Sequence, residues 1–312
     1  MNSNPLLPRP LRGIVPPLVT PLLESERLDV AALERQLERI LAGGVAGVFA
    51  LGSSGEAPSL SLELRREMIA ATCRLVRGRV PVLVGVTDTA PAHSLVLAAA
   101  AADAGAQAVV LSVPYYFPPD PAELEALARR VARESPLPVF LYNIPQYTKA
   151  AYEVSTVRRL ADEPRILGIK DSSGDLAYFR ALTAIARERA DWTVLMGPEE
   201  LLAEGIALGG HGGVNGGALL WPRLLVDLCA AALAGDTARV AELQPRLQSL
   251  GRIYRVSTHP AGVFKALKCA LALLGVCAER MAAPLQPLPA GERAQIRAIL
   301  GECGLLPAGG AA

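Results

Sequence analysis

The run Arg165-Ile166-Leu167-Gly168-Ile169-Lys170 decides the fold: it is short, almost wholly apolar, and ends on an amine. Runs of this kind suit strands buried on both faces, as in a parallel sheet. Its strand covers residues 166–170, and seven further runs match it, at about 13–19, 47–51, 80–86, 108–113, 139–142, 193–196 and 213–215. Between them lie alanine- and leucine-rich segments with Arg and Glu at helical spacing, such as 30–41 and 62–77. Asp29 and Ser61 stand where an N-cap belongs. Eight strands alternating with seven or eight helices predict an α/β fold, a (β/α)8 TIM barrel over residues 1–234. An open doubly wound sheet fits less well. Val19-Thr20-Pro21 follows the first strand, and neither Gly-x-Gly-x-x-Gly nor a P-loop pattern occurs. Residues 222–233 supply the eighth helix. Further helices at 237–249, 260–274 and 291–300 predict a helical C-terminal extension over 235–312.

Composition narrows the function classes. With 51% hydrophobic and 20% charged residues in 312, the chain can bury a large core. A net charge of +1 gives no electrostatic case for nucleic acid or an anionic membrane as partner, and 4% aromatics weaken base stacking. The five cysteines contain no Cys-x-x-Cys pair, and the three histidines are scattered. Neither a disulfide framework nor a metal site is expected, and reduced thiols suit the cytoplasm. No signal-peptide core precedes residue 12, and the apolar stretch at 95–102 is far short of a membrane span. Only four of the 31 basic side chains are lysines: Lys149, Lys170, Lys265 and Lys268. Arginine serves as a generic cation but cannot act as an amine nucleophile. A lysine closing a strand in such a chain therefore invites a chemical reading.

Barrel enzymes carry their chemistry at the C-terminal ends of the strands. Here those ends read Gly52-Ser53-Ser54-Gly55-Glu56, Pro114-Tyr115-Tyr116-Phe117-Pro118, Tyr142-Asn143-Ile144-Pro145, Lys170-Asp171-Ser172-Ser173-Gly174, Gly197-Pro198-Glu199-Glu200 and Gly213-Val214-Asn215-Gly216-Gly217. Hydroxyls, phenols and one amine converge, which suits carbonyl condensation. A buried amine is disfavoured as the cation and attacks ketones as the free base. Period-two alternation puts Ile166, Gly168 and Lys170 on one face, with Gly168 leaving room beneath the amine and Ile166 excluding water. A phenol shuttles protons, and Ser53-Ser54 hydroxyls and amides hold a carboxylate. The bland readings are a solvated strand-end lysine, a core Tyr142, plain turn serines and an interface patch at Tyr115-Tyr116. Glu56 reads as a first-turn cap, His211 as structural, and Gly209–Gly217 as a phosphate cradle or a plain loop.

Together these motifs resemble the dihydrodipicolinate synthase and N-acetylneuraminate lyase family, from about Gly13 through Ala266-Leu267-Lys268 to the end. The resemblance implies a barrel with a helical C-terminal domain, assembled as a homotetramer that is a dimer of dimers. It implies that Lys170 condenses with pyruvate or another 2-keto acid and that Tyr142 is the acid/base. Ser53 would link Tyr142 to Tyr116, reaching across from a neighbouring subunit, and Ser54 would bind the keto-acid carboxylate. Gly52, Gly55, Ser172, Gly197, Glu199, Glu200, Asn215 and Tyr147 complete the implied substrate site, with no metal or organic cofactor.

The chain departs from the synthase pattern at one place. That pattern reads Tyr-Asn-x-Pro-x-Arg, whereas here Tyr142-Asn143-Ile144-Pro145-Gln146-Tyr147 puts Tyr147 at the arginine. Losing a charge-assisted contact to the semialdehyde carboxylate costs about 1.5–3 kcal/mol. Lys149 lies two residues on as a less favoured substitute. Glu199-Glu200 resembles the acidic pair with which sialic acid lyases hold sugar hydroxyls, while Gly216 stands where those lyases place a serine. The expected activity is therefore reversible aldol cleavage of a 2-keto-3-deoxy sugar acid to pyruvate and an aldehyde. The alternatives are 4-hydroxy-tetrahydrodipicolinate synthase, a related keto-deoxy acid dehydratase, and an idle barrel that only binds keto acids.

Overall fold

A computed structural model of the chain describes residues 6–24 and 26–306; residues 1–5 and 307–312, at the ends of the two expected domains, lie outside it. Eight parallel strands form the barrel: β1 (Gly13–Ile14), β2 (Val48–Ala50), β3 (Val82–Gly85), β4 (Ala108–Ser112), β5 (Val139–Asn143), β6 (Ile166–Asp171), β7 (Thr193–Met196) and β8 (Gly212–Gly213). From β2 each strand pairs with the next in sequence, and β8 pairs with β1. The ring closes between β1 and β2 through a bridge from Pro17 to Phe49, with Phe49 N–H donating to Pro16 at 3.0 Å. Every expected strand is present. The first is paired in its ladder over only two residues, because Pro16 and Pro17 have no N–H to donate. A small antiparallel hairpin, Leu22–Glu24 with Arg27–Leu28, follows it and was not read from the sequence.

The expected helices are also present. Asp29 accepts from Ala32 N at 2.9 Å to start α1 (Val30–Ala42), and Ser61 accepts from Leu64 N at 3.2 Å to start α2 (Leu62–Val76). Further helices follow β3, β4, β5, β6 and β7: α3 (Pro91–Asp103), α4 (Pro121–Glu134), α5 (Pro145–Thr148), α6 (Val154–Ala161), α7 (Leu176–Glu188) and α8 (Leu202–Ala207). After β8 comes α9 (Pro222–Ala234), ended by Gly235 at φ 70°. Three more helices close the chain: α10 (Thr237–Gly251), α11 (Gly262–Leu273) and α12 (Ala290–Glu302). Among the described residues no helix is long and apolar enough to cross a membrane.

Alternation along the strands sorts the core into two layers. Phe49, Leu83, Val110, Phe140, Leu167, Leu195 and Val214 fill the barrel interior. Val48, Val84, Val109, Val139, Ile166, Ile169 and Val194 pack outward beneath the helices. Ile166 therefore corrects the sequence reading: it does not share a face with Lys170. The register explains why. Val139 pairs with Ile166, but Phe140 pairs with Gly168, so β6 sets two residues, Leu167 and Gly168, against one on β5. This bulge shifts the alternation by one residue. Leu167, not Ile166, is the apolar side chain inside the barrel below Lys170. Gly168 does not leave room for the amine either. A Cβ there would sit 2.2 Å from the Thr193 carbonyl oxygen, so glycine is needed for β6 to approach β7.

A buried ion pair holds the extension on the barrel. Lys268 Nζ on α11 lies 2.5 Å from Glu56 Oε1, and Ala282 N donates to Glu56 Oε2 at 2.8 Å. Both side chains of the pair are 1% exposed. Glu56 makes no capping bond, which corrects the reading of it as a first-turn cap.

Two outcomes are expected from these contacts. Gly168→Ala should lower stability by about 3 kcal/mol, the upper end for overpacking, and a wild-type denaturant midpoint would contradict the bulge argument. Lys268→Met should cost about 3–5 kcal/mol by leaving a buried carboxylate alone. Adding Glu56→Gln should recover most of that loss, and urea denaturation of the two variants checks it.

Candidate active site

The site is assembled where β5 and β6 end. Tyr142 and Lys170 are register partners on adjacent strands, and both point into the barrel mouth. Lys170 Nζ lies 3.9 Å from the centre of the Tyr142 ring and 5.4 Å from that of Phe49. The amine thus rests on aromatic faces with 7% of its residue exposed. The outward side of the same two strands is locked by Asn143 and Asp171. Asn143 Nδ2 donates to Asp171 Oδ1 at 2.9 Å, and Ser173 donates to both carboxylate oxygens through its N–H and its Oγ–H. Burial pushes the Asp171 carboxyl above its ordinary range.

The loop after β2 brings in the hydroxyls. Ser53 Oγ is 3.5 Å from Tyr142 Oη. Leu51 and Glu56 flank this loop in left-handed backbone, at φ 59° and 57°. Non-glycine residues in that region are held by their surroundings, and such strain gathers at functional loops. The Glu56–Lys268 pair is one restraint. Gly85 is another, since a Cβ there would meet the Leu51 carbonyl oxygen at 2.1 Å.

A cavity of about 270 Å³ opens over Lys170 and Tyr142. Of the residues singled out in the sequence, Ser53, Ser54, Tyr147, Ser172, Gly197, Glu199, Glu200 and Gly216 also line it. Gly52 lines a smaller adjoining cavity with Ser53 and Tyr142. Gly55 lines neither; its carbonyl accepts from Thr20 Oγ1 at 2.7 Å. Asn215 is fully buried outside the lining and donates to the Met196 and Gly197 carbonyls at 3.1 and 2.9 Å, so it braces the loop after β7. Tyr116 is not gathered within this chain: it is 73% exposed and packs edge-on against the exposed Phe117. Lys149 is exposed and lies outside the lining. The glycine-rich run holds a carboxylate in place of a phosphate, with Gly217 N donating to Glu199 Oε2 at 2.6 Å. His211 accepts from Val194 N at 3.0 Å, and burial lowers its pKa to about 4.

Pro17 and four residues of the helical extension, Tyr254, Val263, Phe264 and Leu267, line it without having been singled out in the sequence. The four from the extension form a wall over the strand ends. Tyr147 packs at a tilt of 42° against Phe264 with ring centres 5.3 Å apart and donates to the Pro260 carbonyl at 3.2 Å. Tyr254 Oη lies 3.4 Å from Glu199 Oε2. Glu199 Oε1 is buried without a partner. Burial, reinforced by the nearby Glu200 charge, raises the Glu199 pKa to about 7. Among the described residues no cluster of three or more His, Cys, Asp or Glu is placed to hold a metal ion.

The model of the dihydrodipicolinate synthetase family matches residues 10–303. The chain belongs to that family. Its members are class I aldolases and lyases that make or break carbon–carbon bonds. The 4-hydroxy-tetrahydrodipicolinate synthase of Ralstonia nicotianae is 34% identical, over 95% of this chain and 99% of its own. Dihydrodipicolinate synthase from Bacteroides thetaiotaomicron superposes with a TM-score of 0.91 at 45% identity, covering 94% of this chain and 99% of that one. YagE of Escherichia coli K12, a family member solved with pyruvate, gives 0.90 at 30% identity over 95% and 99%. The family assignment agrees with the barrel and the extension described above.

The Glu199 environment sets a pH dependence. The folded protein keeps its proton up to about pH 7, whereas the unfolded chain releases it near 4.5, the ordinary value for a glutamate. The folded state thus binds more protons in that window, and stability falls as pH rises through it. Glu199→Gln removes this term. Its melting temperature relative to wild type should rise between pH 5 and pH 8; parallel profiles would show that the carboxyl is ionised throughout.

Proposed function

We propose that this enzyme is a Schiff-base aldolase that cleaves, or forms, a 2-keto-3-deoxy sugar acid, with pyruvate and a hydroxylated aldehyde as the other partners. One observation carries the choice of aldehyde. Lys170 is the only cationic side chain lining the cavity among the described residues, while Glu199 and Glu200 both line it. A second carboxylate, such as that of aspartate semialdehyde, would meet Glu200 and a Glu199 that burial keeps protonated up to about pH 7, and no guanidinium. Hydroxyl groups, in contrast, satisfy carboxylate oxygens by donating to them. Tyr147, at the position of the synthase arginine, spends its hydroxyl on the Pro260 carbonyl.

The geometry supports the following steps. The Lys170 amine adds to the ketone carbon of pyruvate, and the carbinolamine loses water to give a protonated imine. Loss of a methyl proton yields an enamine, whose carbon attacks the aldehyde; cleavage runs the same steps backwards. Tyr142, in cross-strand register with Lys170, passes protons to and from the departing water and the aldehyde oxygen. Ser53, at 3.5 Å, continues the path from its phenol. Ser54 hydroxyl and loop amides receive the pyruvate carboxylate. Tyr116 and Phe117 are exposed together, which supports an assembly in which Tyr116 completes the relay of a neighbouring subunit within a tetramer. We divide the chain into a barrel over 1–234 and a helical domain over 235–312, and place it in the cytoplasm, where its free cysteines stay reduced.

The synthase reading has in its favour the names borne by relatives at 33–35% identity and by the Bacteroides thetaiotaomicron structure at 45%. Incubation with a panel of 2-keto-3-deoxy acids, with pyruvate release assayed, separates the two. Efficient condensation of pyruvate with aspartate semialdehyde, and no release from the panel, would overturn the sugar-acid assignment. Lys170→Ala should abolish turnover and borohydride trapping of pyruvate. Tyr142→Phe should keep trapping and lose about 10²–10⁴ in rate.

A further inference from the structure

Glu56 closes the turn that carries the two serines. Its N–H donates to the Ser53 carbonyl at 3.0 Å, Gly55 N–H donates to Gly52 at 3.0 Å, and Ser59 N–H donates to the Glu56 carbonyl at 2.8 Å. Glu56 sits at φ 57° and ψ 26°, a left-handed conformation that a residue with a side chain keeps only where its surroundings impose it. Those surroundings belong to the helical extension. Lys268 Nζ meets one carboxylate oxygen at 2.5 Å and Ala282 N–H donates to the other at 2.8 Å, so both oxygens are engaged. Neither Glu56 nor Lys268 lines the cavity over Lys170, whereas Ser53, Ser54 and Leu267, the neighbour of Lys268 on α11, all do. Two charges withdrawn from water in this way do little for net stability that apolar side chains could not. What they supply is position: the carboxylate moves only with α11, and the serine turn only with Glu56.

We propose that Lys268 is a positioning residue for the keto acid: through Glu56 it fixes the turn that presents Ser53 and Ser54, so the affinity for the pyruvate carboxylate is set from the helical extension. The proposal rests on the Schiff-base reading, in which Ser54 and the loop amides receive that carboxylate, and adds to it a residue that never meets the ligand. Hydroxyl and amide donors hold a carboxylate well only when they are aimed before it arrives, since each donor that must first be ordered costs affinity. Thr20 Oγ1, which donates to the Gly55 carbonyl at 2.7 Å, clamps the same turn from the barrel side. The turn is thus held between the loop after β1 and α11, and the second hold is the one that a charge pair provides.

The test titrates pyruvate against borohydride trapping at Lys170, read by mass spectrometry, in wild type and in the double variant Glu56→Gln, Lys268→Met. The double variant removes both charges together, so its urea midpoint should stay near that of wild type while the hold on the turn is lost. The pyruvate concentration that half-saturates trapping should rise by about 10- to 100-fold, the loss expected for one misplaced charge-assisted contact. The yield of trapped enzyme at saturating pyruvate should be unchanged, because Lys170 itself is undisturbed. A folded double variant with wild-type half-saturation would overturn the proposal. A second measurement needs no variant. Coupling between two sites acts equally in both directions, so pyruvate should slow hydrogen exchange in the wild-type segment that contains Ala282, which lies outside the cavity lining and donates to Glu56. Exchange there that ignores pyruvate, in an enzyme that traps it, would equally overturn the proposal. Absence of trapping in wild type would instead sink the Schiff-base reading, and this one with it.

Discussion

The crowding of Gly168 against the Thr193 carbonyl is the constraint on which the site depends. Only a residue without a Cβ lets β6 lie that close to β7, and at this residue β6 takes up its extra position. Without that bulge, a strand with Ile166 packed outward beneath the helices would also send Lys170 outward, four residues later. With it, Ile166 keeps the outer core and Lys170 enters the barrel beside Tyr142. The amine is therefore buried on aromatic faces by backbone geometry rather than by any attraction of its own. Asn143 and Asp171 hold the same register from the outer side, so two independent contacts fix one juxtaposition.

A second constraint fixes the far side of the cavity. The Glu56–Lys268 pair joins the end of the serine loop to the middle of α11, adjacent to Leu267. A pair this buried gains little over apolar packing in net stability, since desolvation offsets attraction. It does impose geometry: neither partner can shift without stranding the other charge. The serine loop and the helical wall are thereby held in one spatial relation, and the left-handed backbone at Glu56 is kept in place. Two of the four lysines, Lys170 and Lys268, are the buried ones, and each sits where a compact ammonium or a free amine does something a guanidinium cannot.

The cavity's electrostatics follow from which side chains these constraints admit. One amine stands at the strand ends, and two carboxyls stand at the loop after β7. Burial leaves Glu199 reluctant to ionise and one of its oxygens without a donor. On the function proposed above, such an end suits neutral hydroxyls. Tyr147 adds no charge to this mouth, because its phenol is turned to the Pro260 carbonyl and packed against Phe264.

The sequence by itself determined the eight strands, the capped helices and the polar residues at the strand ends. Those depend on local periodicity, turn chemistry and motif spacing, which are written over a few neighbouring residues. It placed Lys170, Tyr142, Ser53 and Ser54 correctly at one mouth, since strand order in a barrel brings all strand ends together. It misplaced Ile166 because a bulge is a relation between two strands, and the clash that demands it involves a carbonyl 25 residues away in the chain. Gly55 and Asn215 carry no mark that distinguishes a bracing residue from a lining one. Tyr254, Phe264 and Leu267 were invisible for the same reason: a helical tail shows its apolar face in sequence but not which cavity that face covers. Only tertiary packing, set by the volume of the core and one buried ion pair, decided that the tail completes the site.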